Sequence, residues 1–360
     1  MKHWQETASV LEQVSRLTEK GTRAALATVV RISGSAYRRP GAKFLVEEGG
    51  STSGGVSGGC LEADVREVAL QVMRDEVPRL LHYDTGSDDE MVWGLGLGCE
   101  GAVDIFVQPV GGEFASGVGR QMRELIASGA PFAVSTAVGG TQAGRATVWA
   151  RAGLVGGTSA EGPDRALAEE ARRLLERGES ALVQIGARTV FTEVLTPPPH
   201  LVVFGAGDDA RPLARLAAEV GFDVTVVDHR PGYLTPERFP PRARLVLRRS
   251  EEGVAGLGLG RRHFAVVQTH ALAHDREWMR ALLAQPVAYL GLLGPRSRKQ
   301  ELLRQLGAEA SERLFAPVGL DVGAEGPEQV AVSIVAEMLA VHAGREPVHL
   351  RTKKGGIHEG

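Results

Sequence analysis

The residues best suited to do chemistry are two cysteines, each placed beside a dense run of glycine. Cys60 ends the run GGVSGGC at residues 54–60, and Cys99 ends the run GLGLGC at residues 94–99. Glycine allows backbone N–H groups to approach a ligand closely, so runs of this kind could cradle an anion. Both cysteines are therefore candidate binding residues.

Cys60 falls at the start of a helix predicted over residues 61–74, where the helix dipole increases the thiolate fraction of a cysteine. Together with Gly58 and Gly59, such a thiolate could hold an anionic cofactor, ligate a soft metal, or accept and pass on sulfur. The alternative is a small buried cysteine that fills a tight corner. Cys99 precedes a strand, so no helix dipole is expected to increase its thiolate fraction.

A basic loop precedes the second predicted strand. Arg38 and Arg39 lie in a turn-rich stretch that ends at Pro40 and Gly41. Arg38 could close an anion site from the side, although exposed arginines are usually only solvated.

A second constellation has the form of a dinucleotide-binding turn. Gly205 and Gly207 follow a predicted strand at residues 201–204, and Asp228 ends the next strand, where an acid can bind a ribose. Asp208 and the aspartate after it place negative charge where a pyrophosphate would lie. These residues leave two interpretations open, nucleotide binding and helix capping on an inherited fold.

Polar residues also follow later strands of the same region. His270 and His274 could share a metal if a third ligand is present, or His270 could contact a ligand or cap a helix. Arg296 lies in the loop GPRSRK at residues 294–299, which could bind phosphate or be a solvated basic turn.

The candidate residues are divided between two predicted domains of different kinds. The stiff segment TPPP at residues 196–199 predicts a boundary between domains at 1–196 and 200–345, with a basic tail at 346–360. After the boundary, strands and helices alternate, which predicts an α/β, Rossmann-like, doubly wound parallel sheet. The predicted strands are 201–204, 224–227, 245–247, 264–268 and 287–290, and the predicted helices are 209–220, one that ends at 283, 298–306 and 327–342.

The region before the boundary predicts an α/β domain with an internal duplication, in halves 1–110 and 111–196. The first half has predicted helices at 4–21 and 61–74 and strands at 25–30, 42–46, 80–83 and 103–109. In the second half, strands at 135–138, 147–150 and 190–195 and a helix at 164–177 repeat that order, and 154–157 stand in the place of the first glycine loop. Chance resemblance between short strands is the alternative.

The composition restricts the classes of function. The chain has 360 residues, 46 glycines, 43% apolar residues and a net charge of -3. This charge gives no drive toward nucleic acid or an anionic membrane. There is neither a signal-peptide pattern nor an apolar run of about 20 residues, so a cytoplasmic protein is expected.

Catalysis is not indicated by any familiar pattern of nucleophile, paired carboxylates or phosphate loop. One alternative is an NAD-dependent oxidoreductase, for which Asp228 favours NAD, but His270 is the only candidate base for hydride transfer. Another is a redox-sensing or metal-sensing interaction protein that uses Cys60 and Cys99.

Taken together, these segments resemble the xanthine dehydrogenase accessory protein family, the XdhC/CoxI group. The resemblance extends from about residue 8 to residue 345. The matching pieces lie at residues 34–43, 57–62, 96–99, 204–210, 227–231, 269–270, 289–299, 319–324 and 327–337.

The resemblance implies a maturation chaperone rather than an enzyme. Such a protein binds the molybdenum cofactor, a phosphorylated molybdopterin, and cooperates with a cysteine desulfurase while an oxygen is exchanged for sulfur. It then helps to insert the cofactor into a xanthine dehydrogenase-type molybdenum hydroxylase. The cofactor would contact the Cys60 loop, a nucleotide such as NAD could bind the C-terminal domain, and a homodimer is expected. Glu100 and the pair Asp208-Asp209 depart from the commonest family pattern.

Overall fold

The protein is described by a computed structural model, which covers residues 2–34, 38–84, 101–158, 165–309 and 311–353. The chain divides into two compact units, Lys2–Pro197 and Pro198–Gly360. The mixed α/β fold class predicted from the sequence is confirmed, with antiparallel sheets in the first unit and a parallel sheet in the second.

The first unit contains two antiparallel sheets with the same strand order. The first sheet has the order β3-β2-β1-β5-β4, and the second has the order β8-β7-β6-β10-β9. In each sheet a helix follows the third strand along the chain. This shared strand order favours the prediction that the two halves arose by duplication. The elements are α1 (Lys2–Glu19), β1 (Ala24–Gly34), β2 (Lys43–Glu47), β3 (Thr52–Gly54), α2 (Glu62–Asp75), β4 (Arg79–Asp84), β5 (Gly101–Pro109), α3 (Gly112–Ser116), α4 (Val118–Ser128), β6 (Phe132–Ala137), β7 (Ala146–Ala150), β8 (Gly153–Gly157), α5 (Arg165–Arg177), β9 (Ala181–Ile185) and β10 (Arg188–Leu195).

Helix α2 is held to the first sheet by its apolar face. Val65, Ala69 and Val72 recur at helical spacing and are fully buried against strand residues that include Val29 and Ile105. Burial of a valine or isoleucine side chain stabilises a fold by about 1.5–3 kcal/mol. This packing fixes the start of α2, and with it the glycine loop that precedes the helix.

The predicted correspondence of residues 154–157 with the first glycine loop is corrected in part. These residues form β8, an edge strand paired with β7 as β3 is paired with β2, and Gly157 lies against the Ala146 carbonyl as Gly54, the first residue of the loop, lies against that of Lys43. The Cβ of any larger residue at Gly157 would lie 2.7 Å from the carbonyl oxygen of Ala146, so this glycine permits close pairing of two strands. Glycine within a strand often marks such a close approach of another backbone.

The second unit is a doubly wound parallel sheet of order β13-β12-β11-β14-β15-β16. This is the order of a Rossmann fold, in which ligands bind at the carboxyl ends of the strands where the order reverses, here between β11 and β14. The expected strand at 287–290 lies two residues later. The elements are β11 (His200–Phe204), α6 (Ala210–Val220), β12 (Asp223–Asp228), β13 (Arg244–Leu247), β14 (His263–Val267), α7 (Leu272–Leu283), β15 (Tyr289–Leu292), α8 (Arg296–Leu306), β16 (Leu314–Phe315) and α9 (Gly326–Ala343).

None of the helices in the described part of the chain combines the length and the apolar character that crossing a lipid bilayer requires.

A histidine at the amino end of β11 makes the stability of the second unit dependent on pH. His200 stacks on His263 with ring centroids 5.2 Å apart, and its Nε2 lies 2.8 Å from Thr225 Oγ1. Burial, together with the neighbouring His263, lowers the pKa of His200 to about 4. A histidine with a lowered folded-state pKa contributes stability that is complete above its unfolded pKa and is lost as the pH falls.

We therefore expect protonation of His200 to lower the free energy of unfolding by up to about 3 kcal/mol as the pH falls from 6.5 to 4. His200→Gln should lose less stability over this interval than the parent chain. Urea unfolding at a series of pH values measures the difference, with exposed His349→Gln as the matched control. Equal pH dependence in His200→Gln and the parent would show that His200 does not cause the loss.

Candidate functional site

The glycine loop between β3 and α2 is organised by one glutamate. Glu62 accepts hydrogen bonds from the N–H groups of Val56 (3.0 Å) and Ser57 (2.8 Å) and from the Ser57 hydroxyl. The Ser57 hydroxyl oxygen in turn accepts from the N–H groups of Gly59 (3.0 Å) and Leu61 (3.1 Å). Four N–H groups of the loop are therefore satisfied by the protein's own side chains.

The carboxylate of Glu62 carries charge at the centre of this loop. Burial alone would raise the pKa of Glu62, but hydrogen bonds from Ser57 and nearby backbone amides outweigh burial and lower the pKa. Glu62 is consequently ionised near neutral pH. The N–H groups of Gly58 and Cys60 make no hydrogen bond to any described residue, so they are the ones open to a ligand.

Cys60 lies two residues before the first residue of α2. It is half-buried and packs against the apolar cluster behind the loop, which includes Val56 and Val65. Gly59 beside it has φ +116°, and no atom lies within 4 Å of the position that a Cβ would take. The thiol is therefore neither sealed in the core nor isolated on the surface, and open space adjoins it. Cys99 lies outside the described residues.

Arg38 lies near the start of the loop but is already paired. Its guanidinium donates to Glu6 of α1, and a Cβ on Gly54 would lie 3.5 Å from the same Glu6 oxygen. Burial raises the pKa of Glu6, while Arg38 and Lys43 oppose this effect. Arg38 thus anchors α1 beside the loop rather than offering a free cation.

A buried ion pair in this unit is not found from the sequence. Lys43 Nζ lies 2.5 Å from Glu193 Oε1 and also donates to the Gly41 carbonyl at 2.9 Å. The Lys43 and Glu193 side chains are only 4% and 9% exposed. Lys43 is in β2 and Glu193 in β10, so the pair joins the two sheets. His3 of α1 lies beside them, and burial lowers its pKa. The available signal was a lysine and a glutamate that each adjoin apolar residues of a strand.

The first glycine of the predicted nucleotide turn is required by packing against backbone, whereas the second is close only to a side chain. Gly205 has φ +112°, and a Cβ there would lie 2.6 Å from the carbonyl oxygen of Gln268. A Cβ on Gly207 would lie 2.7 Å from Asp209 Oδ1. The turn therefore packs tightly against the loop after β14, whether or not it binds a ligand.

Asp228 lies at the end of β12 as predicted, but its carboxylate is engaged. It accepts hydrogen bonds from the N–H groups of Ala206 (2.7 Å) and Arg230 (2.9 Å) and from the Arg230 guanidinium at 3.0 and 2.8 Å. Burial alone would raise the pKa of Asp228, but these hydrogen bonds lower it to about 2. A ribose would have to displace Arg230, which argues against the dehydrogenase alternative.

The loops after β11 and β14 meet through a polar contact. His270 Nε2 lies 2.7 Å from Asp209 Oδ2, and His270 adopts φ +60°. Asp208 is exposed and accepts a hydrogen bond from Arg238 at 3.1 Å. The structure thus brings His270 to the glycine turn, a pairing that the sequence analysis did not predict.

His274 points to a different partner. Its Nδ1 lies 2.9 Å from Ser250 Oγ, and its ring stacks on His229 with centroids 4.7 Å apart. Within the part of the chain that is described, no cluster of three histidine, cysteine or acidic side chains could hold a metal ion. The described residues therefore give no support to a metal shared by His270 and His274.

Asp275, in the first turn of α7, organises the neighbouring loop. Its buried carboxylate accepts hydrogen bonds from the Thr269 hydroxyl at 2.5 Å and from Arg298 Nε at 2.7 Å. Arg296 begins α8, is exposed and forms no ion pair with a described residue. Of the basic residues near that helix start, Arg298 is structural, whereas Arg296 and Lys299 form no ion pair with a described residue and are available to a ligand.

Comparison with known proteins covers both units. Residues 17–84 match a family model described as the XdhC and CoxI family, and residues 201–338 match one described as the XdhC Rossmann domain. A Bacillus subtilis (strain 168) protein named as a probable subunit of xanthine dehydrogenase is 34% identical over 324 residues, which is 90% of this chain and 94% of that protein. The chain belongs to the XdhC and CoxI family. The resemblance inferred from its motifs is confirmed.

One further protein sequence and one solved structure are similar to this XdhC and CoxI family member over most of its length. The molybdenum cofactor insertion chaperone PaoD of Escherichia coli (strain K12) is 24% identical over 336 residues, covering 91% of this chain and 86% of PaoD. A crystal structure described as a xanthine dehydrogenase from Bacillus halodurans is similar with a TM-score of 0.80 and 28% identity. That likeness covers 95% of this chain and 97% of the solved one.

Proposed function

We propose that this chain is an accessory protein that binds the molybdenum cofactor and delivers it to a xanthine dehydrogenase-type molybdenum hydroxylase. The observation that carries the proposal is the similarity, over 91% of the chain, to a protein named as a molybdenum cofactor insertion chaperone. Membership of the XdhC and CoxI family supports the same role. The role requires binding and release from this chain, and no catalytic residue.

We assign the cofactor to the loop that carries Cys60. The cofactor has a phosphate group and a molybdenum atom held by sulfur, so its carrier needs backbone donors and a soft ligand. The N–H groups of Gly58 and Cys60, the half-buried thiol and the open space at Gly59 meet this need. The N–H groups of Val56 and Ser57 do not, because Glu62 occupies them.

The proposal also includes partners. A cysteine desulfurase supplies the sulfur that replaces an oxygen on the bound cofactor, and the hydroxylase receives the product. A homodimer in the cytoplasm is the form in which we expect the chain to act.

Cys60→Ala should shorten retention of the cofactor by roughly tenfold, the effect of losing about 1.4 kcal/mol of binding. The reason is the loss of the soft sulfur donor beside the open N–H groups. Cofactor-loaded protein is passed through gel filtration, and the pterin that stays bound is measured by fluorescence after oxidation. Transfer is measured as activation of an apo-hydroxylase.

Cys60→Ser is the matched variant, because it keeps a polar hydrogen-bonding group and removes only the sulfur. Equal loss in the Ala and Ser variants, with an unchanged unfolding temperature, supports a sulfur ligand. Full retention by Cys60→Ala would exclude this role for the thiol. Failure of the parent chain to retain or transfer cofactor would overturn the proposed function itself.

A further inference from the structure

A cavity of about 790 Å³ lies along α6 in the second unit. It is bounded by α6, by the segment 236–242 after β12, and by the start of α9. Its volume lies in the range of small-molecule sites, roughly 300–1,000 Å³. None of the roles assigned above uses it.

Four arginines line this cavity. Arg211 and Arg215 are one turn apart and so lie on the same face of α6, and Arg238 and Arg242 face them from the opposite wall. Arg238 is partly engaged, since it donates to Asp208 and to the Ala206 carbonyl. Arg215 and Arg242 form neither an ion pair nor a side-chain hydrogen bond with any described residue, so both guanidinium groups are available to a phosphate.

The rest of the lining is not simply cationic. Pro212, Pro240 and Pro241 form apolar walls, and Glu219, Glu237 and Glu328 add carboxylates. Apolar walls exclude water from the faces of a planar ring. A carboxylate accepts hydrogen bonds through both oxygens, so it pairs best with two adjacent N–H donors. A plain phosphate would use the arginines but make no contact with the apolar walls and would not use the carboxylates, which also include Asp208.

We propose that this cavity binds a phosphorylated heteroaromatic ring that presents two adjacent N–H donors. The 2-amino-4-oxopyrimidine edge, shared by pterins and guanine, has this chemistry. The arginines would bind the phosphate, the proline walls would enclose the ring, and a glutamate would accept from its amino edge. A pterin as the source rests on the proposed function and would make this cavity a second pterin site in addition to the Cys60 loop, whereas a guanine nucleotide does not rest on that function.

Binding is measured by isothermal titration calorimetry of the full chain at low salt. The probes are 6-hydroxymethylpterin monophosphate and GMP, with AMP, CMP and inorganic phosphate for comparison. We expect at least one of the first two to bind about tenfold or more tightly than AMP, CMP and phosphate. Arg215→Ala and Arg242→Ala should each weaken that binding about tenfold, and exposed Arg261→Ala should not change it.

Binding of the pterin phosphate alone identifies the cofactor pterin as the source, and binding of GMP alone identifies a guanine nucleotide. The proposal is overturned if no probe binds, if AMP, CMP or phosphate binds equally well, or if the two arginine variants bind like the parent. The probes lack molybdenum and its sulfur ligands, so they test this cavity and not the thiol of Cys60. If the chain retains cofactor but binds no probe, only this inference is therefore contradicted. If it binds a probe but retains no cofactor, only the proposed function is contradicted.

Discussion

Lys43→Met is expected to destabilise the first unit by about 3–5 kcal/mol, because it leaves the carboxylate of Glu193 buried without its partner. Both side chains are less than one-tenth exposed, and Lys43 is also the donor to the Gly41 carbonyl. Glu193→Met should have an effect of similar size, since it strands the ammonium group instead. Chemical denaturation followed by circular dichroism measures both changes.

The double variant Lys43→Met/Glu193→Met separates a lost partner from lost packing. Two apolar side chains of similar volume remove both charges, so the double variant should recover most of the stability that either single variant loses. Lys20→Met, at an exposed position, is the control for loss of a lysine. A double variant as unstable as the sum of the two singles would contradict the idea that the pair is held by charge compensation.

Much of the fold follows from periodicity in the sequence. The helix predicted at residues 4–21 carries Val10, Leu11, Val14 and Leu17 at helical spacing, and all four are buried. The parallel sheet of the second unit follows from alternating strands and helices. Local pattern is sufficient in these places because each element buries one face, and the spacing of apolar residues records that face directly.

Contacts between residues distant in sequence could not be predicted in this way. Lys43 and Glu193 are separated by 150 positions and belong to different sheets. Nothing in either strand specifies the other, because the ion pair exists only once the two sheets have come together. The edge strand at residues 153–157 was missed for a related reason, since only its neighbour shows that the glycines serve close pairing.

At the candidate site, too, the positions of residues along the chain could be predicted, but their hydrogen-bond partners could not. The sequence placed Cys60 and Asp228 correctly at the starts and ends of elements, but it did not show that carboxylates of the protein already occupy both glycine turns. Glu62 accepts from N–H groups of the first turn, and Asp228 accepts from the N–H of Ala206 in the second. An anionic ligand must therefore use the remaining N–H groups or nearby arginines, and not the whole of either turn.

Glu62→Ala is expected to loosen the glycine loop and to shorten cofactor retention by at least about tenfold. The variant leaves the N–H groups of Val56 and Ser57 and the Ser57 hydroxyl without their acceptor. Loss of an acceptor from part-buried donors costs about 1–3 kcal/mol. Hydrogen exchange of residues 56–61 measures the loosening without any cofactor, and pterin retention measures its consequence for binding.

Glu62→Gln separates the geometry of the loop from its charge. The glutamine Oε1 can accept from the same two N–H groups, whereas its Nε2 cannot accept from the Ser57 hydroxyl, so the loop should keep most of its protection from exchange. Because the negative charge is gone, the Gln variant should retain the anionic cofactor at least as well as the parent. Glu67→Ala, at an exposed position on the same helix, controls for loss of a glutamate from α2. If Glu62→Ala exchanged its loop amides no faster than the parent, or if the Gln variant lost cofactor as fast as the Ala variant, Glu62 would not be the group that shapes this loop for binding.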